Sequence, residues 1–196
     1  GIGALLRDAH WRSLAGAALE STAIAGTTPS ALVPNPRKVL CCGVNYLDHI
    51  LEMGRTPPDF PTLFGKFADS LVGDGDDLVL TGTGIERLDW EAELTVVIGS
   101  TVRRADRDEA AAAIAGYTVA NDVTARDWQR RTTQFLQGKA WEALTPVGPV
   151  MVTADAFDPT AGARIECRLD GEVVQSSTTD QLLFDSIDLV AYCSQF

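Results

Sequence analysis

Three acidic side chains are spaced so that they could bind one divalent cation. Glu91 and Glu93 stand at the start of a β-branched run that Gly99 ends, and this run predicts a strand. Because side chains two residues apart in a strand point to the same face, the two carboxylates project together. Asp122 follows a second strand-like run, residues 117–121. Three carboxylates with no His or Cys among them suit an oxygen site for Mg²⁺, Mn²⁺ or Ca²⁺.

A helix predicted between the two strand-like runs could return Asp122 to the glutamate pair. It covers residues 106–115, with Asp106 as N-cap, Glu109 at the capping-box position and Gly116 as C-cap. The E-x-E pattern alone has a simpler explanation, in which both glutamates form the solvated face of a half-buried strand. The choice between a cation site and a solvated face depends on the rest of the chain.

A second candidate group is a histidine beside a carboxylate. His49 and Glu52 lie three residues apart on a short predicted helix that Asn45 caps and Gly54 ends, so they share a face. A carboxylate fixes the tautomer of a neighbouring imidazole and increases its basicity, which is how a histidine becomes a general base towards water. The alternative is a surface histidine with a casual ion pair.

Composition excludes some classes of partner. The chain has 196 residues, 45% hydrophobic and 22% charged, which is ordinary for one sizeable globular domain. The net charge of −11 disfavours nucleic acid and anionic membranes as partners. No apolar run predicts a membrane span and no signal peptide opens the chain. The four cysteines form no C-x-x-C pattern and are predicted to be reduced core thiols of a cytoplasmic protein.

Many short strands and few helices are predicted to position these residues. Residues 8–20 predict an amphipathic helix, 27–36 a linker, 130–138 a mobile loop before Lys139, and 186–196 a helix. Asp170-Gly171 predicts a hairpin turn between two strands. The large number of short predicted strands and the small number of predicted helices favour a mixed, β-rich α+β domain over a doubly wound sheet. Strands are predicted at 38–44, 62–67, 78–80, 93–98, 117–121, 163–169 and 172–175.

Several short motifs follow one another in a specific order and spacing. They are Gly43-Val44-Asn45-Tyr46 with His49 and Glu52, Leu63-Phe64-Gly65-Lys66, Asp89-Trp90-Glu91-Ala92-Glu93, Gly116-Tyr117-Thr118-Val119-Ala120-Asn121-Asp122-Val123, Ala125-Arg126-Asp127-Trp128-Gln129 and Gly138-Lys139. Together they resemble the fumarylacetoacetate hydrolase family, from about Lys38 to Phe196. The resemblance implies a β-rich roll, a homodimer and a Mg²⁺ ion, with Mn²⁺ or Ca²⁺ as substitutes, held by Glu91, Glu93 and Asp122.

The resemblance also implies an activity and a role for each candidate residue. Members of the family cleave a carbon–carbon bond in β-diketo acids, or decarboxylate, isomerise or hydrate 2-oxo acids. By resemblance, His49 oriented by Glu52 is the base for an attacking water, and Lys139 is the cation near the developing oxyanion. Candidates for substrate contacts are Tyr46, Lys66, Arg126 and Gln129. Simpler roles stay open, since Lys66 could be a buried anion contact or an ordinary edge charge, Lys139 an exposed charge in a loop, and Arg126 a structural ion pair.

Three functional hypotheses follow from these expectations. The first is a Mg²⁺-dependent hydrolase of acylpyruvate-like or fumarylpyruvate-like diketo acids, and the second is a decarboxylase or isomerase of a 2-oxo dicarboxylic acid on the same metal. The third is a non-catalytic fragment or interaction domain that keeps the fold. By resemblance, residues 1–36 are a helix and linker at the tail of a small N-terminal domain. Residues 37–196 are then a catalytic domain that ends before a Gly-Asp-x-x-x-Thr-Gly-Thr-Pro segment of the family.

Overall fold

The computed structural model describes Leu6, Trp11, Ser13 and residues 31–196. Trp11 and Ser13 are helical, in agreement with the helix predicted for residues 8–20, whose other members lie outside the described residues. Of the predicted linker, residues 31–36 are bends and irregular backbone, and the earlier part is not described.

The described part of the chain is rich in short strands, most of them paired in twos. The strands are β1 (Val39–Gly43), β2 (Thr62–Lys66), β3 (Leu71–Val72), β4 (Leu88–Asp89), β5 (Ala92–Ile98), β6 (Ile114–Asn121), β7 (Thr124–Ala125), β8 (Thr145–Pro146), β9 (Val152–Thr153), β10 (Arg164–Leu169) and β11 (Glu172–Thr178). The α-helices are α1 (Leu47–Glu52), α2 (Arg107–Ala113), α3 (Arg126–Gln129), α4 (Leu136–Lys139) and α5 (Ser186–Cys193). Single 3₁₀ turns cover Ala68–Ser70, Pro159–Ala161 and Thr179–Gln181. This mixed, β-rich architecture confirms the predicted fold class.

The central sheet has the order β5–β6–β9, with antiparallel pairing throughout. Its β5–β6 register sets Ala92 opposite Asn121 and Glu93 opposite Ala120. One face packs on a core that includes Ile114, Tyr117 and Val190, where α2 and α5 cover the sheet. The end of β6 therefore lies beside the start of β5, which is where the three predicted acidic ligands occur.

The helix between the two central strands begins where the sequence predicts but ends earlier. Asp106 is the N-cap of α2, its side chain accepts from the Glu109 N–H, and the Glu109 carboxylate accepts from the Asp106 N–H. The predicted C-cap, Gly116, is wrong, because this glycine lies inside β6. A Cβ at this position would collide with the carbonyl oxygen of Val152, so the glycine is needed for the close approach of β9.

Other expectations for single elements are also wrong. Residues 78–80 form no strand. Asn45 does not cap α1, since its side chain is used by the distant Phe184, accepting from its N–H and donating to its carbonyl oxygen. The predicted mobile loop at 130–138 contains turns and most of α4, and Lys139 at the end of α4 is buried.

The hairpin and the last helix agree with expectation. Strands β10 and β11 pair antiparallel around Asp170 and Gly171, whose φ values of 51° and 86° are both positive, as the predicted turn requires. Helix α5 covers most of the predicted residues 186–196. Among the described residues, no helix has the length and apolar character that a bilayer crossing requires.

Candidate metal and substrate site

Backbone hydrogen bonds fix Glu91 and Asp122 beside each other. The Asp122 N–H donates to the Glu91 carbonyl oxygen at 2.8 Å, and the Glu91 N–H donates to Asn121 Oδ1 at 2.9 Å. Asp122 is buried, and the Thr124 hydroxyl donates to its carbonyl oxygen at 2.7 Å. The β5–β6 register therefore brings together two carboxylates that are 31 positions apart in the sequence.

Two buried lysines neutralise these carboxylates. Lys139 Nζ lies 2.7 Å from a carboxylate oxygen of Glu91 and 2.7 Å from one of Asp122. The Lys66 side chain is fully buried and forms an ion pair with the other Asp122 oxygen. Burial alone would lower the pKa of Lys139, but the charges of Asp122 and Glu91 outweigh it and raise the pKa, so the amine is a fixed positive charge. Exposed positions for Lys66 and Lys139 are excluded.

Arg126 adds a third cation at the edge of the cluster. Its guanidinium lies 2.5 Å from Glu91 Oε1 and donates to Asp89 at 2.8 Å and to Gln129 Oε1 at 2.8 Å. The neighbouring Asp127 caps the backbone of residues 86 and 87 instead of pairing with it. The alternative of a structural ion pair therefore describes Arg126 in this structure, with one partner on β4 and one just before β5.

Glu93 differs from the other two acids. Among the described residues it makes no ion pair, whereas Glu91 and Asp122 each make at least two. Burial, together with the negative charges of Asp122 and Glu91, raises the pKa of Glu93 to about 8. The position carries negative charge that the surrounding lysines do not fully compensate, so it favours a proton or another cation.

Cys41 is the third side chain with a possible metal-binding atom at this point. One such atom from each of Cys41, Glu93 and Asp122 lies within 4.8 Å of the other two. Two oxygens bound to one Mg²⁺ ion lie up to about 4.2 Å apart, because each is about 2.1 Å from the ion. The spacing is therefore close to that of a shared ion. Burial and the charges of Glu93 and Asp122 raise the pKa of Cys41 well above its usual range.

Of the other predicted site residues, Tyr46 is half-buried, whereas His49 and Glu52 are exposed. Burial raises the pKa of Tyr46 to about 12, with the nearby Glu93 acting in the same direction, so this phenol stays neutral. His49 Nδ1 and Glu52 Oε2 are 3.4 Å apart, as their spacing predicts. Both side chains are exposed, at 57% and 81%, so the pair lies on the surface and not within the buried cluster.

Sequence reasoning missed two residues at the site. Cys41 was expected to be an ordinary core thiol and Phe64 was given no role, yet the ring centroid of Phe64 is 5.2 Å from Lys139 Nζ. The antiparallel register sets Cys41 opposite Phe64 and Val39 opposite Lys66. Period-two alternation in β1 and β2 places these residues on one face, and the buried Lys66 could have identified that face.

An open groove lies next to the chain segments that carry the cations. Its volume is about 340 Å³, and three of its seven lining residues are aromatic. The rings of Trp128 and Trp141 meet edge to face with centroids 5.0 Å apart, and the Arg131 guanidinium lies 3.5 Å from the centroid of Trp128. The full lining is Phe67, Trp128, Leu136, Gln137, Ala140, Trp141 and Glu142.

The shifted pKa of Glu93 predicts a pH dependence of stability for the metal-free protein. The folded protein binds this proton more tightly than the unfolded chain, whose ordinary value is 4.5. The resulting stabilisation is complete below pH 4.5 and is lost as the pH rises through about 8. We expect the free energy of unfolding to fall with rising pH in this window, by up to about 1.4 kcal/mol per pH unit.

Urea unfolding in EDTA across this pH window measures the effect. Since other groups titrate in the same range, the relevant quantity is the difference between the wild-type protein and Glu93→Gln, which carries no titrating group at this position. Parallel pH profiles for the two proteins would contradict the assignment.

A buried cluster of acidic and basic side chains with a strongly shifted pKa is more typical of an enzyme site than of a structural ion pair. Comparison with known proteins agrees with this class. The chain belongs to the fumarylacetoacetate hydrolase family, because residues 38–196 match the family described as fumarylacetoacetate (FAA) hydrolase C-terminal.

Individual relatives show the same relationship. The chain is 46% identical over 168 residues to the human mitochondrial oxaloacetate tautomerase FAHD2A, a match that covers 85% of this chain and 53% of that protein. A solved fumarylacetoacetate hydrolase from Exiguobacterium antarcticum has a TM-score of 0.77 at 39% identity, covering 85% of this chain and 60% of that one. A 5-carboxymethyl-2-hydroxymuconate delta-isomerase from Mycobacterium smegmatis has a TM-score of 0.79 at 33% identity, with coverages of 90% and 68%.

Family membership supports the expectation that an enzyme of this kind uses a metal ion, and the residues present fit one. The carboxylates are oxygen donors, and the unpaired negative charge at Glu93 gives a cation a place to bind. The chain spans about half the length of the curated relative it matches. The activity of the whole protein is therefore a matter for proposal.

Proposed function

We propose that the chain carries the divalent-cation site of an enzyme that interconverts keto and enol or double-bond isomers of a small 2-oxo dicarboxylic acid. Two findings support this choice over hydrolysis. The 46%-identical human relative is named an oxaloacetate tautomerase, and one structural neighbour is named a 5-carboxymethyl-2-hydroxymuconate delta-isomerase. The candidate water-activating pair, His49 and Glu52, is exposed, whereas the two lysines and Asp122 of the charged cluster are buried.

Glu91, Glu93 and Asp122 would hold the ion in this proposal, with Mg²⁺ as the expected metal and Mn²⁺ or Ca²⁺ as substitutes. A bound divalent cation supplies Lewis-acid polarisation of the carboxylate and keto oxygens of the substrate. The β5–β6 register holds two of these ligands through backbone hydrogen bonds, so their positions are set before any ligand binds.

The remaining residues of the cluster would stabilise negative charge on the substrate. The environment of Lys139 is the observation that supports the proposal most directly. Its ammonium is buried, forms ion pairs with Glu91 and Asp122, and stays in the charged form. A preorganised cation in a low-dielectric site favours an enolate far more than an exposed lysine does. Tyr46 stays neutral and can donate a hydrogen bond, and Lys66, Arg126 and Gln129 are candidates for holding the substrate carboxylates.

Ketonisation of enol oxaloacetate, with and without EDTA, tests this proposal. We expect catalysis above the spontaneous rate in Mg²⁺, its loss in EDTA, and its recovery when Mg²⁺ or Mn²⁺ is restored. A protein that binds the ion but converts neither oxaloacetate nor diketo acids would instead support the third hypothesis, a non-catalytic domain that retains the fold.

Hydrolysis of acylpyruvates is the second candidate, and the pairing of His49 with Glu52 at 3.4 Å favours it. If this pair activates water, His49→Gln should reduce acetylpyruvate hydrolysis by about 100-fold or more, the usual contribution of a general base. The same substitution should leave oxaloacetate ketonisation within about twofold, because no water is consumed in that reaction. Glu52→Gln should follow the same pattern more weakly.

Equal loss of both activities in His49→Gln would instead assign the histidine a role in substrate binding. Decarboxylation of oxaloacetate is monitored in the same assays, since it needs the cation but not the water-activating base. We also propose, from the family resemblance, that the protein is a homodimer and acts in the cytoplasm. The relatives with mitochondrial names make organelle targeting the alternative to test.

A further inference from the structure

We propose that Cys41 makes the cation site a mixed thiolate–carboxylate site, so that thiophilic divalent cations such as Zn²⁺ and Cd²⁺ bind through its sulfur together with Glu93 and Asp122. Ligand atoms of these three side chains lie within 4.8 Å of one another, and Cys41 is the only non-carboxylate among them. The inference shares the cation site with the proposed function but does not depend on which reaction occurs there.

The strand geometry supports a fixed position for the sulfur. Cys41 lies in the middle of β1 and is paired in register with Phe64, whose ring is beside Lys139 Nζ. Lys66 on β2 forms an ion pair with Asp122, so this face of the β1–β2 pair lies against the acid cluster. The adjacent Cys42 points to the opposite face of the strand, as period-two alternation requires.

The charges of the cluster match such an ion. Asp89, Glu91, Glu93 and Asp122 are four potential negative charges, and Lys66, Lys139 and Arg126 are three positive ones joined to them in ion pairs. Once Glu93 has released its proton, one negative charge without an ion-pair partner among the described residues is left over. A thiolate at Cys41 makes the excess two, which one divalent cation neutralises.

Ligand softness then determines which ion recruits the sulfur. Mg²⁺ prefers oxygen ligands, whereas Zn²⁺ and Cd²⁺ bind thiolates strongly. As the ion binds, the proton of Cys41 and the proton that Glu93 carries at neutral pH are both released to solvent, and no oxidant or reductant is required. Hard cations would therefore bind through the carboxylates alone, while thiophilic cations would use the same carboxylates and Cys41.

Spectroscopic titration with Cd²⁺ tests this inference, because a cadmium–thiolate bond has an ultraviolet charge-transfer band that a carboxylate site lacks. The chain has four cysteines, so Cys42→Ser/Cys167→Ser/Cys193→Ser leaves Cys41 as the only thiol. We expect the band in the wild-type protein and in this triple variant, with one equivalent of Cd²⁺ per chain. Cys41→Ser should lose the band and bind Cd²⁺ at least about 100-fold more weakly.

Matched controls separate coordination from misfolding and from the proposed function. Cys42→Ser changes the neighbouring thiol and should retain the band, and circular dichroism checks that each variant is folded. If Cys41→Ser does not fold, protection of Cys41 from alkylation by Cd²⁺ in the wild-type protein, read by peptide mass, provides the measurement. Mn²⁺ binding, followed by its paramagnetic resonance signal, should change less than about threefold in Cys41→Ser.

Each outcome of these experiments supports or overturns the proposed role of Cys41. A site that binds Mn²⁺ but shows no cadmium–thiolate band overturns the role of Cys41 and leaves the proposed function intact. A band that persists in Cys41→Ser, or that disappears in Cys42→Ser, assigns the sulfur elsewhere and also overturns it. Failure of the wild-type protein to bind either ion overturns both this inference and the proposed function.

Discussion

Replacing Glu93 with glutamine is expected to abolish saturable binding of Mg²⁺ or Mn²⁺ and any catalysis that depends on them. Glu93 is the acid of the cluster that makes no ion pair among the described residues, and burial together with the charges of Asp122 and Glu91 raises its pKa, so its ionised form lacks a compensating cation. Glutamine keeps the shape of the side chain but removes the charge that a cation would neutralise. The expected loss of affinity is at least about 100-fold, since changes in the shell outside the ligands alone cost 10–100-fold.

The same substitution should remove cation binding but preserve or increase the stability of the metal-free protein, so the two effects can be separated. A neutral amide at this half-buried position removes the desolvation cost of the carboxylate and its repulsion from Asp122 and Glu91, so the metal-free variant should be at least as stable as the wild-type protein above pH 8. Loss of binding in a more stable protein cannot be attributed to unfolding. Isothermal titration with Mn²⁺ and urea unfolding in EDTA provide the two measurements.

Glu172→Gln is the matched control for this experiment. Glu172 begins β11, is exposed and belongs to the hairpin, so the same chemical change occurs on a strand remote in sequence from the cluster. It should alter neither cation binding nor turnover. If Glu93→Gln binds Mn²⁺ as tightly as this control does, the carboxylate is not a ligand and the proposed metal site is wrong.

Local patterns in the sequence predicted the parts of the fold that depend on neighbouring residues. The capping box of Asp106 and Glu109 and the hairpin turn at Asp170-Gly171 both act over a few residues. Their physical causes are hydrogen bonds and backbone conformations that a short segment contains within itself. These features were accordingly found in the structure.

Expectations that depend on distant contacts were less reliable. Gly116 resembles a helix C-cap locally, but the approach of β9 determines its place inside a strand. Asn45 has a good capping side chain, yet its hydrogen bonds to Phe184 satisfy that side chain elsewhere. In both cases a tertiary partner more than thirty residues away competes with the local preference and prevails.

In the candidate site, the positions of Lys139 and Cys41 also depend on distant contacts. Lys139 follows a polar segment that predicts an exposed loop, but a Cβ at Gly138 would lie 2.7 Å from the Gln129 backbone, which shows how closely α4 packs on α3. This packing buries the lysine. The position of Cys41 beside Glu93 depends on how β1 and β2 lie against the central sheet. Neither contact is encoded in a short stretch of sequence.

Removing the buried cation of Lys66 should cause the largest loss of stability among the substitutions considered. The Lys66 side chain is fully buried and that of Asp122 is 2% exposed, so the pair is shielded from water. In Lys66→Met the aliphatic length is kept, but Asp122 loses one of its two cationic partners. Breaking a buried ion pair usually costs 3–5 kcal/mol. We expect a loss near the lower end, about 3 kcal/mol, because Lys139 still contacts the other Asp122 oxygen.

Urea unfolding of the metal-free protein measures this loss, and Arg107→Met is the matched control. Arg107 also pairs with two carboxylates, Asp185 and Asp188, but its side chain is 53% exposed. Solvent and salt screen an exposed pair, so its removal should change stability far less. Similar losses in the two variants would mean that burial does not distinguish the Lys66–Asp122 pair from a surface contact.

A double variant tests whether the loss comes from the unpaired charge or from a change in packing. In Lys66→Met/Asp122→Asn the buried carboxylate is neutral, so the desolvation cost created by Lys66→Met is largely removed. We expect the double variant to recover at least half of the lost stability, although Asp122→Asn alone is destabilising because it leaves both lysines undercompensated. A double variant no more stable than Lys66→Met would show that Lys66 acts through its methylene packing and not through its charge. That result would also contradict the view that the positive charges hold the carboxylates in place for a cation.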